Sequence, residues 1–150
     1  MKSRAKTTPH RSKKPLSKDM LLPLPVAIAQ KKSLEHHLAL ASSRSGSGSS
    51  DAVSKVFQTI YITYFIHEAT VGRQDLDQFR VAEAALVECA ATGKNTGAFE
   101  IPANGRTAVE QILLMHDWQL ANVPAHVIAS AHVRLAQFIA TEKLSPIADM

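Results

Sequence analysis

The chain has 150 residues, 45% hydrophobic and 20% charged, with a net charge of +4. That balance is that of an ordinary globular protein and allows one domain with a tail. A single cysteine, Cys89, excludes an intrachain disulfide framework and a cysteine-rich zinc site, and no apolar run reaches the roughly 18 residues that a membrane-spanning helix needs.

The charge is unevenly placed. Residues 1–32 hold nine of the seventeen Lys and Arg and, of the acids, only Asp19. The remainder holds eight basic against twelve acidic residues, so the basic balance belongs to the N-terminus and the body is mildly acidic. Residues 1–18 contain one sizeable aliphatic side chain, Leu16, too little apolar surface to offset the entropy of ordering. The segment is expected to be a disordered basic tail. Lys2, Arg4, Lys6, Arg11, Lys13, Lys14 and Lys18 are its candidate nucleic-acid contacts, because a segregated basic arm is a usual electrostatic tether to polyanions. The competing reading is a solvated, solubilising terminus.

Residues 19–50 form the next unit. Met20-Leu21-Leu22-Pro23-Leu24-Pro25-Val26 is an apolar strip that its prolines bias towards extended backbone. It resembles the apolar region of a secretion signal only superficially, since Pro23 and Pro25 interrupt it and Lys31 and Lys32 follow. Leu21, Leu22 and Leu24 are therefore expected to dock on the chain's own body or on a partner. Ser33 to Ala41 predicts a short helix capped by Ser33, with Leu34, Leu38 and Ala41 on one face. The Ser/Gly run from Ser42 to Ser50 has linker composition.

Residues 51–144 predict a bundle. Asp51 to Thr70 lacks Gly and Pro, places Val53, Val56, Phe57, Ile60, Tyr64 and His67 at helical spacing, and stops at Gly72. Asp75 to Thr92 repeats the pattern through Leu76, Phe79, Ala82, Leu86, Cys89 and Ala90, and Gly93 ends it. Residues 93–106 read as a long loop with Phe99 and Ile101 briefly extended. Thr107 and Glu110 match a capping box ahead of Val109, Ile112, Leu113, His116 and Leu120. Pro124 opens the last helix, whose apolar face carries Val127, Ile128, Ala131, Leu135, Phe138 and Ile139. Residues 145–150 are left as a C-terminal tail. The fold class is all-α: a small bundle of four main helices plus one short helix.

The chemical motifs are weak. Seven histidines show no Glu-x-x-His or His-Glu-x-x-His spacing. Adjacent His36 and His37 are expected on different faces of their helix, and His67 and His116 to be hydrogen-bonded near the core, so no metal site is assigned. Cys89 sits on an apolar face as a small hydrophobe. Gly93-Lys94-Asn95-Thr96 lacks the leading glycine and strand of a phosphate loop. Asp75 and Asp77 are ordinary helix N-terminal charge. Neither a catalytic constellation nor a cofactor motif emerges, and the reading is non-enzymatic. A helix-turn-helix over Ala108–Leu120 and Pro124–Thr141 would present His126, Ser130, His132, Arg134 and Gln137, of which only Arg134 is permanently charged, and its turn lacks glycine.

The stretches Lys13-Lys14-Pro15-Leu16-Ser17-Lys18, Met20-Leu21-Leu22-Pro23-Leu24-Pro25, Ser33-Leu34-Glu35-His36-His37-Leu38-Ala39-Leu40, Tyr61-Ile62-Thr63-Tyr64-Phe65 and Ala82-Glu83-Ala84-Ala85-Leu86 resemble a group of small helical bacterial proteins. Some of these carry the label of Fis-family transcriptional regulators. The resemblance implies a bacterial, cytoplasmic regulator. The Fis label implies a DNA-bending dimer with a C-terminal helix-turn-helix, but the basic recognition helix is missing here, and no residue role transfers. The function expected from the sequence is a regulatory or nucleic-acid-associated protein acting through its tail. The alternative is a helical module that binds a protein partner, or a second copy of itself, through the Leu21–Val26 strip or the 93–106 loop. No membrane role is expected.

Overall fold

The computed structural model describes residues 15–44 and 48–147. Over these residues the chain is all-helical, with helices α1 (Lys18–Leu21), α2 (Val26–Arg44), α3 (Ser50–Thr70), α4 (Asp77–Thr96), α5 (Ala103–Asn122) and α6 (Ala125–Ile139). No helix among them is long and apolar enough to cross a membrane. Two isolated β-bridges, Pro23 to Pro124 and Gly48 to Phe99, tie connections together.

The centre of the bundle is α3, which packs against α2, α4, α5 and α6. Its sequence suits that place. Ser49 caps it, Oγ accepting from the Ala52 N–H at 3.2 Å. The run from Thr59 to His67 is buried without a break. Two threonines in that run remain satisfied because their hydroxyls donate to the carbonyl one turn back, Thr59 to Lys55 at 2.8 Å and Thr63 to Thr59 at 2.7 Å. From α5, Gln119 donates to the Thr63 carbonyl at 3.1 Å. Val56, Ile60, Tyr64, Phe79, Leu86, Ile112, Leu113 and Leu120 form the dry interior.

Four expected boundaries move. The short helix of residues 33–41 becomes α2, which begins directly after Pro25, whose carbonyl accepts from Ile28 at 3.0 Å and Ala29 at 3.1 Å. Ser33 is therefore mid-helix and caps nothing. Gly93 does not end α4. It lies inside the helix under the Phe99 ring, where a Cβ would collide with ring carbons. The helix closes one turn later at Gly97, whose φ of 77° suits glycine. The long 93–106 loop thus contracts to residues 97–102, and Thr107 and Glu110 fall within α5 instead of capping it. Phe99 is extended as expected, through its bridge to Gly48, and the Ile101 N–H donates to Ser43 O at 3.2 Å.

The Ser/Gly stretch does not divide the chain into separate bodies, since α2 before it packs on α3 and α5 after it; residues 45–47 lie outside the described ones. The C-terminal segment also docks. Ile147 is buried, and Ser145 donates to the Glu83 carboxylate at 2.7 Å, which Tyr61 also reaches at 2.8 Å. Those two hydroxyls share one carboxylate because α3 and α4 present Tyr61 and Glu83 to the same gap.

Candidate functional site

A dense polar cluster lies where α2 meets α5. His36 Nε2 is 2.9 Å from Asp117 Oδ1, and His37 Nε2 is 2.6 Å from Asp117 Oδ2. The two consecutive imidazoles, expected on separate faces, converge on one carboxylate. They manage it because α5 lies against the shoulder of α2, inward enough for His36 to be buried and outward enough for His37 to reach across from the rim. Their ring centroids are 4.6 Å apart. The nearest donor atoms of His36, His37 and Asp117 all fall within 4.8 Å of one another.

Neighbouring groups set the charge of this cluster. Burial lowers the His36 pKa below its ordinary 6.5, against the opposing pull of Asp117. Burial would raise Asp117, but hydrogen bonds from His37 and Ser33 and the charges of both imidazoles outweigh it and hold the carboxyl below its usual 3.8. His116, its ring 5.5 Å from His36, is pushed down to about 4 by burial. Its Nδ1 pairs with Gln119 Oε1 at 3.0 Å. His67 pairs with the Gln74 carbonyl at 2.8 Å. Both are thus hydrogen-bonded core histidines, as expected. A small cavity of about 110 Å³ beside His36 is shared with Lys55, His116 and His132. On the other side of Asp117 a cleft of about 330 Å³ opens between Leu24, Gln30, Ser33 and Ala121.

The Leu/Pro strip is only partly docked on the body. Leu22 O accepts from the Ala125 N–H at 2.8 Å, Pro23 bridges Pro124, and Leu24 packs against the core. Leu21 and Leu22 keep about half their surface, at 53% and 48%. Of the basic candidates, Lys18 is exposed at the start of α1. Lys2, Arg4, Lys6, Arg11, Lys13 and Lys14 lie outside the described residues.

The same contact bears on the helix-turn-helix reading. A recognition helix reads bases with its N-terminal residues, and the strip sits against that end of α6. Arg134 is also engaged. It donates to Glu68 at 2.8 Å and lies 4.5 Å over the Phe65 ring.

A cleft of about 460 Å³ runs between α3, α4 and α6 and is lined by Phe57, Tyr61, Phe99, Leu135 and Phe138, with Lys94 at its edge. Phe99 and Lys94 come from the 93–106 segment singled out in the sequence. The cleft itself was not legible, since its wall combines buried and half-buried residues of four separate segments. Cys89 is buried on the apolar face of α4, and burial raises its thiol pKa.

No protein-family model, no curated protein and no solved structure matches the chain.

Proposed function

We propose that this is a small, non-enzymatic, cytoplasmic regulatory protein that associates with nucleic acid through its basic N-terminal arm. The observation that carries the reading is the segregation of charge: seven Lys and Arg between Lys2 and Lys18 precede an otherwise mildly acidic chain. The fold adds a mechanical argument. The root of the arm is fastened at the α5–α6 corner by Leu22, Pro23 and Leu24, so polyanion held by the arm stays beside the bundle. The body contributes position and partner contacts, not base readout, because Arg134 is committed to Glu68 and Phe65. The resemblance to proteins labelled Fis-family regulators agrees with a regulatory role but does not supply the reading head that label implies.

A fluorescence-anisotropy titration of labelled duplex DNA tests this. The full chain should bind several unrelated sequences with similar affinity. A variant with Lys2, Arg4, Lys6, Arg11, Lys13, Lys14 and Lys18 all changed to Gln should not bind. Full binding by that variant would overturn the proposal.

A second reading rests on the aromatic cleft between α3, α4 and α6. Phe57, Tyr61, Phe99 and Phe138 offer an apolar wall with Lys94 at the rim, the composition of a protein-interaction groove. In that reading the chain is a helical interaction module and the arm is solubilising. Loss of a co-purifying partner on Phe57→Ser, with DNA binding absent throughout, would favour it.

A further inference from the structure

We propose that His36, His37 and Asp117 form a binding site for one divalent transition cation of the zinc class. The site uses only side chains of the body and does not rest on the role given to the arm.

The geometry argues for a metal over a simple ion pair. Two imidazoles and one carboxylate, the carboxylate 80 positions from His37, bring ligand atoms within 4.8 Å of one another, and each histidine faces Asp117 through Nε2. The present contacts of 2.9 Å to Oδ1 and 2.6 Å to Oδ2 would open, and the widest ligand separation, within 4.8 Å, would close, towards about 3.3 Å, the edge of a tetrahedron with bonds of about 2.0–2.1 Å. His37 and Asp117 have the freedom to do this, with side chains 36% and 29% exposed. His36 is fixed by burial and sets the position of the ion. Ser33 hydrogen-bonds Asp117, an outer contact of the kind that orients a ligating carboxylate. Binding asks each imidazole to carry its proton on Nδ1 and to turn the Nε2 lone pair inward.

The donor set also chooses the cation. Two nitrogens and one oxygen suit Zn²⁺, Co²⁺ or Ni²⁺ and are poor for Mg²⁺ or Ca²⁺, which take oxygen ligands. His116 is not a member of the group whose ligand atoms lie within 4.8 Å of one another. The fourth position therefore falls to water or an exchangeable group, and the cleft lined by Ser33 and Asp117 gives it access. An ion there would pin α2 to α5.

The test is a titration of the full-length, chelator-stripped chain with Co²⁺, followed by absorbance, then displacement by Zn²⁺. The expected result is saturation at one equivalent, with Mg²⁺ unable to compete. His37→Gln and Asp117→Asn should each weaken binding by more than about tenfold, the loss that even outer-contact changes can produce. His126→Gln and His10→Gln should leave it unchanged. Zn²⁺ should raise the melting temperature of the parent chain and not that of His37→Gln, a partly exposed position whose metal-free melt is expected to stay cooperative. Absent binding, binding indifferent to His37→Gln, or binding lost with His10→Gln would each overturn the proposal.

Discussion

Glu68, near the end of α3, gathers Tyr64 at 2.8 Å, Arg134 at 2.8 Å and Arg73 at 3.7 Å. Burial would raise its carboxyl, but the hydrogen bonds from Tyr64 and Arg134 and the charges of both arginines outweigh it, holding the pKa below the usual 4.5. A depressed carboxylate stabilises the fold fully above the unfolded value and loses that contribution as pH falls through the folded one. Glu68→Gln should therefore cost roughly 1–2 kcal/mol near neutrality. The gap to the parent chain should begin to narrow below about pH 4.5 and close as pH falls through the lower folded value. Urea melts at pH 7 and at pH 3 measure both; an equal gap at the two pH values would show that Glu68 acts only by packing. Gly93 makes a steric counterpart. A Cβ there meets the Phe99 ring, so Gly93→Ala should lower stability by about 1–3 kcal/mol despite alanine's better helix propensity. A stabilised variant would show that Phe99 moves aside freely.

Among the elements, α3 to α6 were readable as helices, whereas α2 was readable only over residues 33–41 and its buried face was not. The buried stripes of α3, α4 and α5 are apolar at helical spacing, and Val53, Ile60, Phe79, Leu86, Val109 and Ile112 all fall inside as expected. On α6, Ile128, Ala131 and Leu135 do so, while Ile139 is 62% exposed because it lies at the open edge of the aromatic cleft. In α2 the pattern inverts: His36, Leu40 and Ser43 are buried, whereas Leu34 and Leu38 are each 60% exposed. A stripe with two polar members out of three gives no hydrophobic period, and its polarity is tolerable only because Asp117 and the Ala39 carbonyl satisfy His36 and Ser43. Two contrasts follow. Leu135→Asp should unfold the chain, because it buries an unpaired charge, whereas Leu34→Asp should leave the circular-dichroism melt nearly unchanged. In the strip, Leu24→Ser should lower stability and Leu22→Ser should not, since Leu22 holds the body by its backbone carbonyl. Equal losses at both positions would mean that the strip docks through side chains alone.

At the scale of the molecule, two features of different legibility stand side by side. The basic arm is written in the sequence as a run of charge. The His36–His37–Asp117 cluster is not, because its members obey no ligand spacing and meet only when α2 lies on α5. In the proposed function the bundle between them serves as a scaffold: Leu22 and Pro23 hold the root of the arm at the α5–α6 corner, and Glu68 keeps Arg134 occupied. Binding through such an arm is counterion release and little else, so its strength must follow salt and ignore sequence. The most direct measurement is the slope of log K against log salt for duplex DNA and the full chain. With most of the seven basic residues from Lys2 to Lys18 engaged, that slope is expected at roughly −4 to −6, the same for unrelated sequences and unchanged in Arg134→Ala. A shallow slope with sequence-selective binding that Arg134→Ala destroys would contradict the account and place recognition in α6 instead.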